Sequence, residues 1–495
     1  MSTLRTNQLQ TLDGTVTDFS LDALPYVAPG TGAVSRSAQS KLSDMLSVKD
    51  FGAKGDFSTD DTTAIRNALA AAAASGPRGK AVFMPAGIYN VSGTITIPAY
   101  VRLVGAGKAS TLIRCTVAGT VVDPIVSLPN GFSGIQGVGV VYSGLQATQG
   151  TCLLSTGSNN SLEDFMVSAG YVGFQWHTGS ATVCEDFQIL DCKRIGLLIG
   201  NSITGFSNDL FISNFLIITA DLTNFSLGAM RVLGRVEALV VDTADFIGST
   251  TPFTSDPGTA EGLRFSSFNK VYFDSGVSSP LFTGVNHTTF TDCWWSNRAA
   301  GGTFVNCHSL TINGAKVYNN SLQGLLFLNC HHIIISGDFA LNNLSASSAI
   351  DDLFFDASCN NLTIGPLIGF EAGPTRYGLF IASGVTAYQV RDVNITPRAS
   401  GVISEPVAAA GRKVTSVAGY ATQNKGNGTL AAARTSVSVP HGLGATPSLK
   451  NIQISSNGQT MTPLYVSSVD ATNLVVATQT ANAGATNFSW WADIS

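Results

Sequence analysis

Two segments of the chain decide its fold: FVNCHSLTI at residues 304–312 and, 23 residues later, FLNCHHIII at residues 327–335. Each segment contains a short apolar strand, a tight turn at Asn-Cys and a second, alternating strand. A third copy runs from Phe354 through Cys359 to Ile364 and carries an insertion. A period near 23 residues, with two or three strands per repeat and no helical pattern, is typical of stacked β-coils.

A second periodic feature accompanies the first, because a glycine precedes the first strand of many repeats: Gly173, Gly196, Gly228, Gly262, Gly302, Gly324 and Gly378. One coil cannot bury its own interior, so the coils must stack. We therefore predict an all-β protein built around a parallel β-helix at residues 111–400, with Cys307, Cys330 and Cys359 stacked inside it. A β-sandwich would show strands every 8–12 residues or so without matching copies, and a propeller blade would need about twice this period.

The regions on either side of the repeats have different patterns. Residues 1–44 are rich in Ser, Thr and Gly, which predicts an extended arm that orders on a partner. Residues 45–110 are predicted to contain a capping helix, beginning near Asp60 and ending before Pro77, and the first strands. Residues 401–433 are interpreted as a linker. Alternating residues after Ser436 predict a small antiparallel β-sandwich at 434–495.

Composition excludes several classes of function. Charged residues make up 12% of the chain, the net charge is −5 and no basic cluster exists, so we expect no nucleic-acid partner. We expect no signal peptide and no membrane insertion, because the first residues are polar and no run of about 18 apolar residues occurs. The eight cysteines include no CxxC pair and are expected to be reduced. No cofactor motif or metal-ligand set is apparent.

A resemblance to a known family adds to this pattern. The segments VKDFGAKGD at 48–56, TDDT at 59–62 and PAGIY at 85–89 resemble the opening of the pectate-lyase-like β-helix superfamily, in the version found in bacteriophage tailspikes. Phe57 stands where family members usually carry Gly, which affects only the local turn. The head, MSTLRT at 1–6, resembles a virion-binding arm, and PHGLGATP at 440–447 opens a region that resembles a C-terminal sandwich of such spikes.

The resemblance implies a right-handed β-helix and a homotrimeric spike of the virion, synthesised in the cytoplasm of a bacterial host. Such a spike attaches to a phage tail or baseplate through residues 1–44 and binds a bacterial surface polysaccharide (capsule, O-antigen or exopolysaccharide). It usually degrades that polysaccharide, as a glycoside hydrolase or as a lyase; a non-enzymatic receptor-binding spike is the alternative. The C-terminal sandwich is expected to serve trimerisation or glycan binding, with the end Trp490-Trp491 at a subunit interface. The resemblance does not transfer catalytic residues.

Catalytic candidates follow from coil geometry, since equivalent positions on adjacent coils lie about 4.8 Å apart, close to the carboxylate spacing of retaining glycosidases. The candidates are Asp242, Asp274 and Asp292, interpreted like Asp191 as ends of second strands on successive coils, and Asp245, which follows Asp242 at i+3. They can equally be turn residues. The segment Gly248–Gly262 is predicted to be a loop that walls a groove beside them.

Candidate saccharide-binding residues lie in the segment DCWWSNR at 292–298 and in the predicted loop. They are Trp294, Trp295, Arg298 and Glu261. In a strand the two tryptophans point to opposite faces, so one can be core and the other exposed. Glu371 and the turn Glu185-Asp186 are reserve acids, and His308 and His331 are expected to stack as a surface ladder.

Overall fold

The computed structural model of the protein describes residues 8–10, 16–18, 21–22, 24–116, 121–200, 206–258, 262–297, 299–342, 349–369, 374–396, 398–406, 409, 411–458 and 463–494. The chain divides into two compact units, one formed by residues 1–174 and 179–187 and the other by 175–178 and 188–495. The strand Val172–Trp176 contains the first boundary between them.

The first unit contains the helices and the first β-coils. Its helical segments are Ala38–Leu42, the 3-10 turn Val48–Phe51 and Thr62–Ala74. Two antiparallel pairs precede the coils: Gln8–Gln10 with Val16–Asp18, and Pro25–Tyr26 with Arg36–Ser37. One parallel sheet contains Leu46–Ser47, Asp56–Asp60, Ala81–Met84, Gly87–Val91, Arg102–Gly105, Thr111–Cys115, Gly134–Tyr142, Ser161–Ser168 and Thr182–Glu185. The other contains Ile95–Thr96, Val126–Leu128 and Thr151–Ser155.

The helix Thr62–Ala74 confirms the predicted capping helix. Its apolar residues recur at helical spacing, so one face is buried against the first coils. The helix ends at Ser75, immediately before Gly76 and Pro77. The buried residues of this face are Ile65, Ala68, Leu69 and Ala72.

The motif before the helix is held by Asp61. The Asp61 carboxylate is buried and accepts the backbone N–H groups of Lys54 at 2.7 Å and Gly55 at 2.9 Å. Phe57 has φ 70°, a left-handed conformation in which glycine is the easiest residue to place. Its ring lies 4.3 Å from the Arg114 guanidinium. The departure from glycine at this position is therefore accommodated locally.

The second unit continues the same architecture in two parallel sheets. The first sheet contains Gln188–Leu190, Phe206–Ile218, Arg235–Ile247, Leu263–Arg264, Ser267–Gly276, Asn286–Asn297, His308–Tyr318, His331–Asn342, Asn360–Gly369, Ala387–Ile395 and Gly411–Val417. The second contains Ile195–Ile199, Gly228–Leu233, Phe253–Asp256, Leu281–Thr283, Gly302–Val305, Leu325–Leu328, Leu353–Phe355, Tyr377–Ile381 and Gly401–Ser404. The copies at 304–312 and 327–335 pair in parallel, as predicted.

Inside the coils, equivalent residues stack on one another. Five phenylalanines form a column with centroid separations of 4.4 to 4.9 Å: Phe253, Phe282, Phe304, Phe327 and Phe355. The predicted cysteine stack is confirmed, since Cys307, Cys330 and Cys359 are buried and the Cys330 N–H lies 3.3 Å from Cys359 Sγ. All eight cysteines are buried, and none of them is in a disulfide. The predicted all-β fold, a parallel β-helix between a capping helix and a small antiparallel β-sandwich, is confirmed.

A left-handed residue bends each long strand of the first sheet and restarts its inward–outward alternation. In four consecutive long strands these residues occupy one register position and have φ between 52° and 67°. We call them the corner: Thr243, Lys270, Asp292 and Gly314. The corner divides the outer surface of these strands into two faces.

The predicted linker at 401–433 is wrong. Gly401–Ser404 and Gly411–Val417 pair with strands of the preceding coil, so the coils continue to Val417. Gln423–Leu430 then pairs with Thr486–Asp493, so the sandwich begins before residue 434. The Ala- and Gly-rich composition was misleading because small residues also suit closely packed strands.

The C-terminal sandwich has two antiparallel sheets. In one sheet the strand order is Gln423–Leu430, Thr486–Asp493, Ile452–Ser456. In the other sheet it is Ser436–Pro440, Asn473–Thr478, Leu464–Val469. A 3-10 turn lies at Leu449–Asn451. Their core contains Leu474, Val476, Phe488 and Trp490. Trp490 was expected at a subunit interface, but strand alternation turns its indole into this core and leaves Trp491 on the outer face.

Candidate functional site

The strand register separates the four predicted aspartates. Asp242 pairs with Asn269 just before the corner, whereas Asp292 is itself a corner residue. Asp245 lies after the corner, where it pairs with Tyr272. Asp274 pairs with Ile247, two residues further along. The prediction that Asp242, Asp274 and Asp292 occupy equivalent positions is therefore wrong, because each long strand contains a bend that the sequence repeat does not mark.

The residues before the corner form a satisfied polar surface. We call them the polar row: Asp242, Asn269, Thr291 and Asn313. Asn269 Nδ2 donates to Asp242 Oδ1 at 2.8 Å, and the Thr243 hydroxyl donates to the same oxygen at 3.2 Å. Asp292 is exposed in its left-handed turn. These features fit the turn-residue interpretation for Asp242 and Asp292.

Asp245 has a different environment. Its Oδ1 is buried and accepts no hydrogen bond from any residue that the structure describes. Burial, and secondly the negative charge of Asp274, raise the pKa of Asp245 to about 6, and the backbone N–H of Phe246 opposes them. A carboxyl with this pKa can hold its proton under mildly acidic conditions while an ordinary carboxylate beside it is ionised. The structure thus places Asp274 close enough for its charge to raise the pKa of Asp245.

Large side chains continue from Asp245 along the following coils. We call this the aromatic row: Asp245, Tyr272, Trp294 and Lys316. The Tyr272 and Trp294 rings meet edge to face at 6.3 Å, and Lys316 Nζ lies 5.8 Å from the centre of the Trp294 ring. Tyr318 lies 6.0 Å from Trp294. Tyr272 is 40% exposed, so the row presents aromatic surface to solvent.

The two adjacent tryptophans have opposite positions. Trp294 faces outward, whereas Trp295 is fully buried and stacks on Phe273 at 4.7 Å. The prediction that Trp295 contacts saccharide is therefore wrong, because strand alternation places it in the core. At the strand end, buried Asn297 donates to the carbonyls of Phe273 and Gly301, which fixes the backbone that carries both tryptophans.

Three further predicted residues and the predicted loop remain to be placed. Arg298, Glu261 and Glu371 lie outside the described residues. The predicted loop Gly248–Gly262 contains Phe253–Asp256, a strand of the second sheet, because Phe253 and Ser255 alternate into the core. The segment is therefore only in part a loop.

Several other titratable groups have structural partners. In the first unit, Glu163 pairs with Arg102 at 2.7 Å, and Asp164 pairs with Lys108 at 3.1 Å. His308 and His331 stack at 5.0 Å, as predicted.

Within the described part of the chain, no group of three His, Cys, Asp or Glu residues is arranged to hold a metal ion. Among the described helices, none has the length and apolarity needed to span a membrane.

Sequence reasoning missed Tyr272, Lys316 and Tyr318 as site residues. A signal existed, because Tyr272, Trp294 and Lys316 follow one another at 22-residue intervals, close to the repeat period. The repeat was used for inward positions only, although it also sets which outward side chains adjoin on neighbouring coils.

Comparisons with known proteins agree with the fold. Residues 45–234 match the family model described as "Rhamnogalacturonase A/epimerase, pectate lyase-like". The mannuronan C5-epimerase AlgE3 of Azotobacter vinelandii is 48% identical over 76 residues, which cover 14% of this chain and 4% of that protein. The tail spike protein of Shigella phage Sf6 is 42% identical over 84 residues, which cover 16% of this chain and 13% of that protein. The chain therefore spans only a small part of these relatives' lengths.

Among solved structures, the tailspike protein gp49 of Pseudomonas phage LKA1 is similar with a TM-score of 0.48 and 11% identity, covering 91% of this chain and 99% of that one. The family model overlaps the motifs at 48–89, on which the resemblance to pectate-lyase-like proteins rests. That resemblance is confirmed over residues 45–234, which match the pectate lyase-like family model.

Proposed function

We propose that the protein is a phage tailspike that binds and depolymerises a bacterial surface polysaccharide by hydrolysing glycosidic bonds. One observation carries the enzymatic part of the proposal: Asp245 has a buried, unpartnered carboxyl oxygen and a raised pKa beside Asp274. The relatives described as epimerase and tail spike support a role on bacterial polysaccharide. No cofactor is needed for this chemistry.

In the proposed reaction, Asp245 is the general acid. Its proton passes to the glycosidic oxygen as the bond between that oxygen and the anomeric carbon breaks. The Asp274 carboxylate accepts a proton from the water molecule whose oxygen attacks the anomeric carbon. The two carboxyls return to their starting states when one proton moves from Asp274 back to Asp245 through solvent.

The register supports inversion at the anomeric carbon. Asp274 lies one coil and two residues from Asp245, so the two Cα atoms are separated by about 8 Å if the coil rise is about 4.8 Å and each residue advances about 3.3 Å. Side chains that leave the sheet in parallel keep a similar separation between their carboxyl groups. Inverting glycosidases place their carboxyls roughly 6.5–9.5 Å apart to admit water, whereas retaining enzymes need about 5–5.5 Å. We therefore propose an inverting hydrolysis.

The rest of the aromatic row supplies a binding surface. Tyr272 and Trp294 present aromatic faces on which sugar rings stack, and Lys316 places a positive charge at the end of the row. Because the row follows consecutive coils, a saccharide chain bound to it runs across the strands. Arg298 and Glu261 stay proposed contacts at its edge.

The test is incubation of the protein with purified capsule, O-antigen or exopolysaccharide, followed by analysis of chain length and end groups. Shortened chains with new reducing ends, initially of inverted configuration by NMR, are expected. Unsaturated uronate ends would show a polysaccharide lyase instead. A glycan that is bound and never shortened would show a non-enzymatic receptor-binding spike.

We also propose that the spike is a homotrimer that attaches to the phage tail or baseplate through residues 1–44 and is synthesised in the host cytoplasm. The described strands of this segment pair only with each other, so deleting the segment removes no strand from the coils. Deletion should leave the trimer and saccharide binding intact and abolish incorporation into virions. A monomeric mass near 51.5 kDa in light scattering of the full chain would refute the trimer.

A further inference from the structure

The outer face of the C-terminal sandwich carries a second cluster of residues of the types that bind saccharides. Trp491 lies on the central strand Thr486–Asp493, where it pairs with Lys425 on one neighbouring strand and with Gln453 on the other. In the next outward row, Ser489 pairs with Asn427 and Ser455. An open cavity of about 570 Å³ lies over these residues: Lys425, Asn427, Gln453, Ser455, Ser489 and Trp491.

The sandwich core fixes this surface. Phe488 and Trp490 point inward from the central strand, and Gly428 and Gly426 oppose them on the edge strand. A Cβ at Gly428 would lie 2.4 Å from the Phe488 ring, and one at Gly426 would lie 2.9 Å from the Trp490 indole. Glycine at these two positions lets the edge strand lie flat against the central one. The alternation then leaves Trp491 half-buried on the outside.

The polar groups around Trp491 are ordered. The Ser489 hydroxyl lies 2.9 Å from Asn427 Oδ1 and 2.9 Å from Asn457 Oδ1. The hydroxyl has one proton to donate, so it donates to one of these amides, and both planar amide groups lie beside Ser489 over the sheet. Planar amides beside an aromatic ring match the hydroxyls and the apolar face of a sugar.

Charge narrows the choice of ligand. Of the described residues that line the cavity, Lys425 alone is charged, and it forms no ion pair within the described chain. The cavity therefore has a positive charge and no carboxylate. Interface cores between protein copies are depleted of lysine and rich in apolar side chains, whereas this face presents one indole among amides and hydroxyls.

We infer that this face is a non-catalytic binding site for an acidic saccharide. The sugar ring stacks on Trp491, its carboxylate or other acidic group pairs with Lys425, and its hydroxyls bind Gln453, Asn427 and Ser455. The site belongs to the sandwich and requires no cleavage at the aromatic row. It therefore stands or falls independently of the proposed hydrolysis.

The test uses the full-length chain with Asp245→Asn, Tyr272→Ala and Trp294→Ala, so that the aromatic row contributes neither cleavage nor ring stacking. The probes are a panel of purified bacterial capsular polysaccharides, half containing uronate and half neutral, with binding measured by calorimetry and quenching of tryptophan fluorescence. At least one uronate polymer should bind, and affinity should fall with added salt. Trp491→Ala should weaken it about tenfold.

Lys425→Gln provides a second variant. The Lys425 side chain is exposed and forms no ion pair within the described chain, so its substitution should leave the fold stable. It should weaken binding about threefold and remove most of the salt dependence, whereas the matched variant Lys450→Gln, outside the cavity, should change neither. Three results would overturn the inference. No uronate polymer binds; a polymer binds with the same affinity to Trp491→Ala and Lys425→Gln as to the parent protein; or Trp491→Ala reduces the oligomer mass in light scattering. The last result would identify the face as a contact between copies of the chain.

Discussion

The polar row and the aromatic row lie on the same strands, three residues apart, and they differ in how their polar atoms are satisfied. In the polar row, Asn269 and Thr243 both donate to Asp242. In the aromatic row, Asp245 Oδ1 is buried with no donor among the described residues. Both rows contain an aspartate that sequence reasoning chose for catalysis.

The difference indicates where function resides. A buried carboxyl oxygen without a donor destabilises the fold, because its desolvation is not compensated by a hydrogen bond. A hydrogen-bonded aspartate at a turn stabilises the fold and needs no further explanation. This difference supports the proposal that catalysis belongs to the aromatic row, whereas the polar row has a structural role.

The largest expected effect comes from substituting the two aspartates separately. Asp245→Asn should lower the hydrolysis rate about a thousandfold, since the general acid is lost. Asp242→Asn is the matched control, because its amide oxygen still accepts the hydrogen bond from Asn269. It should retain activity within about threefold. Release of reducing ends measures both variants, and circular dichroism confirms that each one folds.

If Asp242→Asn loses as much activity as Asp245→Asn, the contrast between the rows is broken. If both variants stay fully active, the catalytic residues lie elsewhere, with Glu261, Glu371 and the Glu185-Asp186 turn next to be tested.

The adjacent tryptophans give the next largest effect. Trp295→Ala should destabilise the fold by about 3–5 kcal/mol, because it removes a fully buried indole that stacks on Phe273. Trp294→Ala should leave the unfolding temperature nearly unchanged and weaken saccharide binding about tenfold. Thermal unfolding and calorimetric titration distinguish the two. Equal destabilisation by both changes would mean that Trp294 is also structural.

A smaller effect concerns pH. The pKa of Asp245 is raised to about 6, so its protonated form is the one that the folded state favours. This contribution to stability is fully present below the ordinary pKa of an aspartate and is lost as pH rises through about 6. The unfolding temperature should therefore fall over this interval, and the fall should be smaller in Asp245→Asn. Hydrolysis should also decline above pH 6, because the acid loses its proton.

Asp274→Asn sharpens this measurement. Removing the like charge should lower the pKa of Asp245 without returning it to the ordinary value, because burial is the larger cause. The pH-dependent loss of stability should then be smaller and should end at a lower pH, because only the folded-state pKa changes. A stability profile identical to that of the wild-type protein would show that the two carboxylates are not coupled.

Much of the fold was predictable because inward positions obey the repeat strictly. The columns of phenylalanine and cysteine require matching residues at each coil, so Phe304 and Phe327, or Cys307 and Cys330, reappear at fixed spacing. The boundaries of the sandwich were not predictable, because the Ala- and Gly-rich stretch that contains Gly411–Val417 looks the same in a linker and in an edge strand.

The candidate site was predictable only in part. The structure places Asp245, Asp274 and Trp294 in outward positions on adjoining coils, and their roles in the site stay predictions. The error with Asp242 and Asp292 arose at the corner, where Thr243 or Lys270 adopts a left-handed conformation with no characteristic residue type. One such residue shifts the alternation, so the spacing of aspartates in sequence does not equal their spacing on the surface.

The smallest predicted effect concerns two lysines, one in the corner and one in the aromatic row. Lys316 belongs to the aromatic row and lies over the Trp294 ring, whereas Lys270 is an exposed corner residue. If the substrate is acidic, Lys316→Gln should weaken its binding about threefold, as expected for one exposed ion pair, and the loss should disappear at high salt. Lys270→Gln should have no effect on either measurement. Equal losses in the two variants would mean that the saccharide crosses the corner and that the polar row belongs to the site after all.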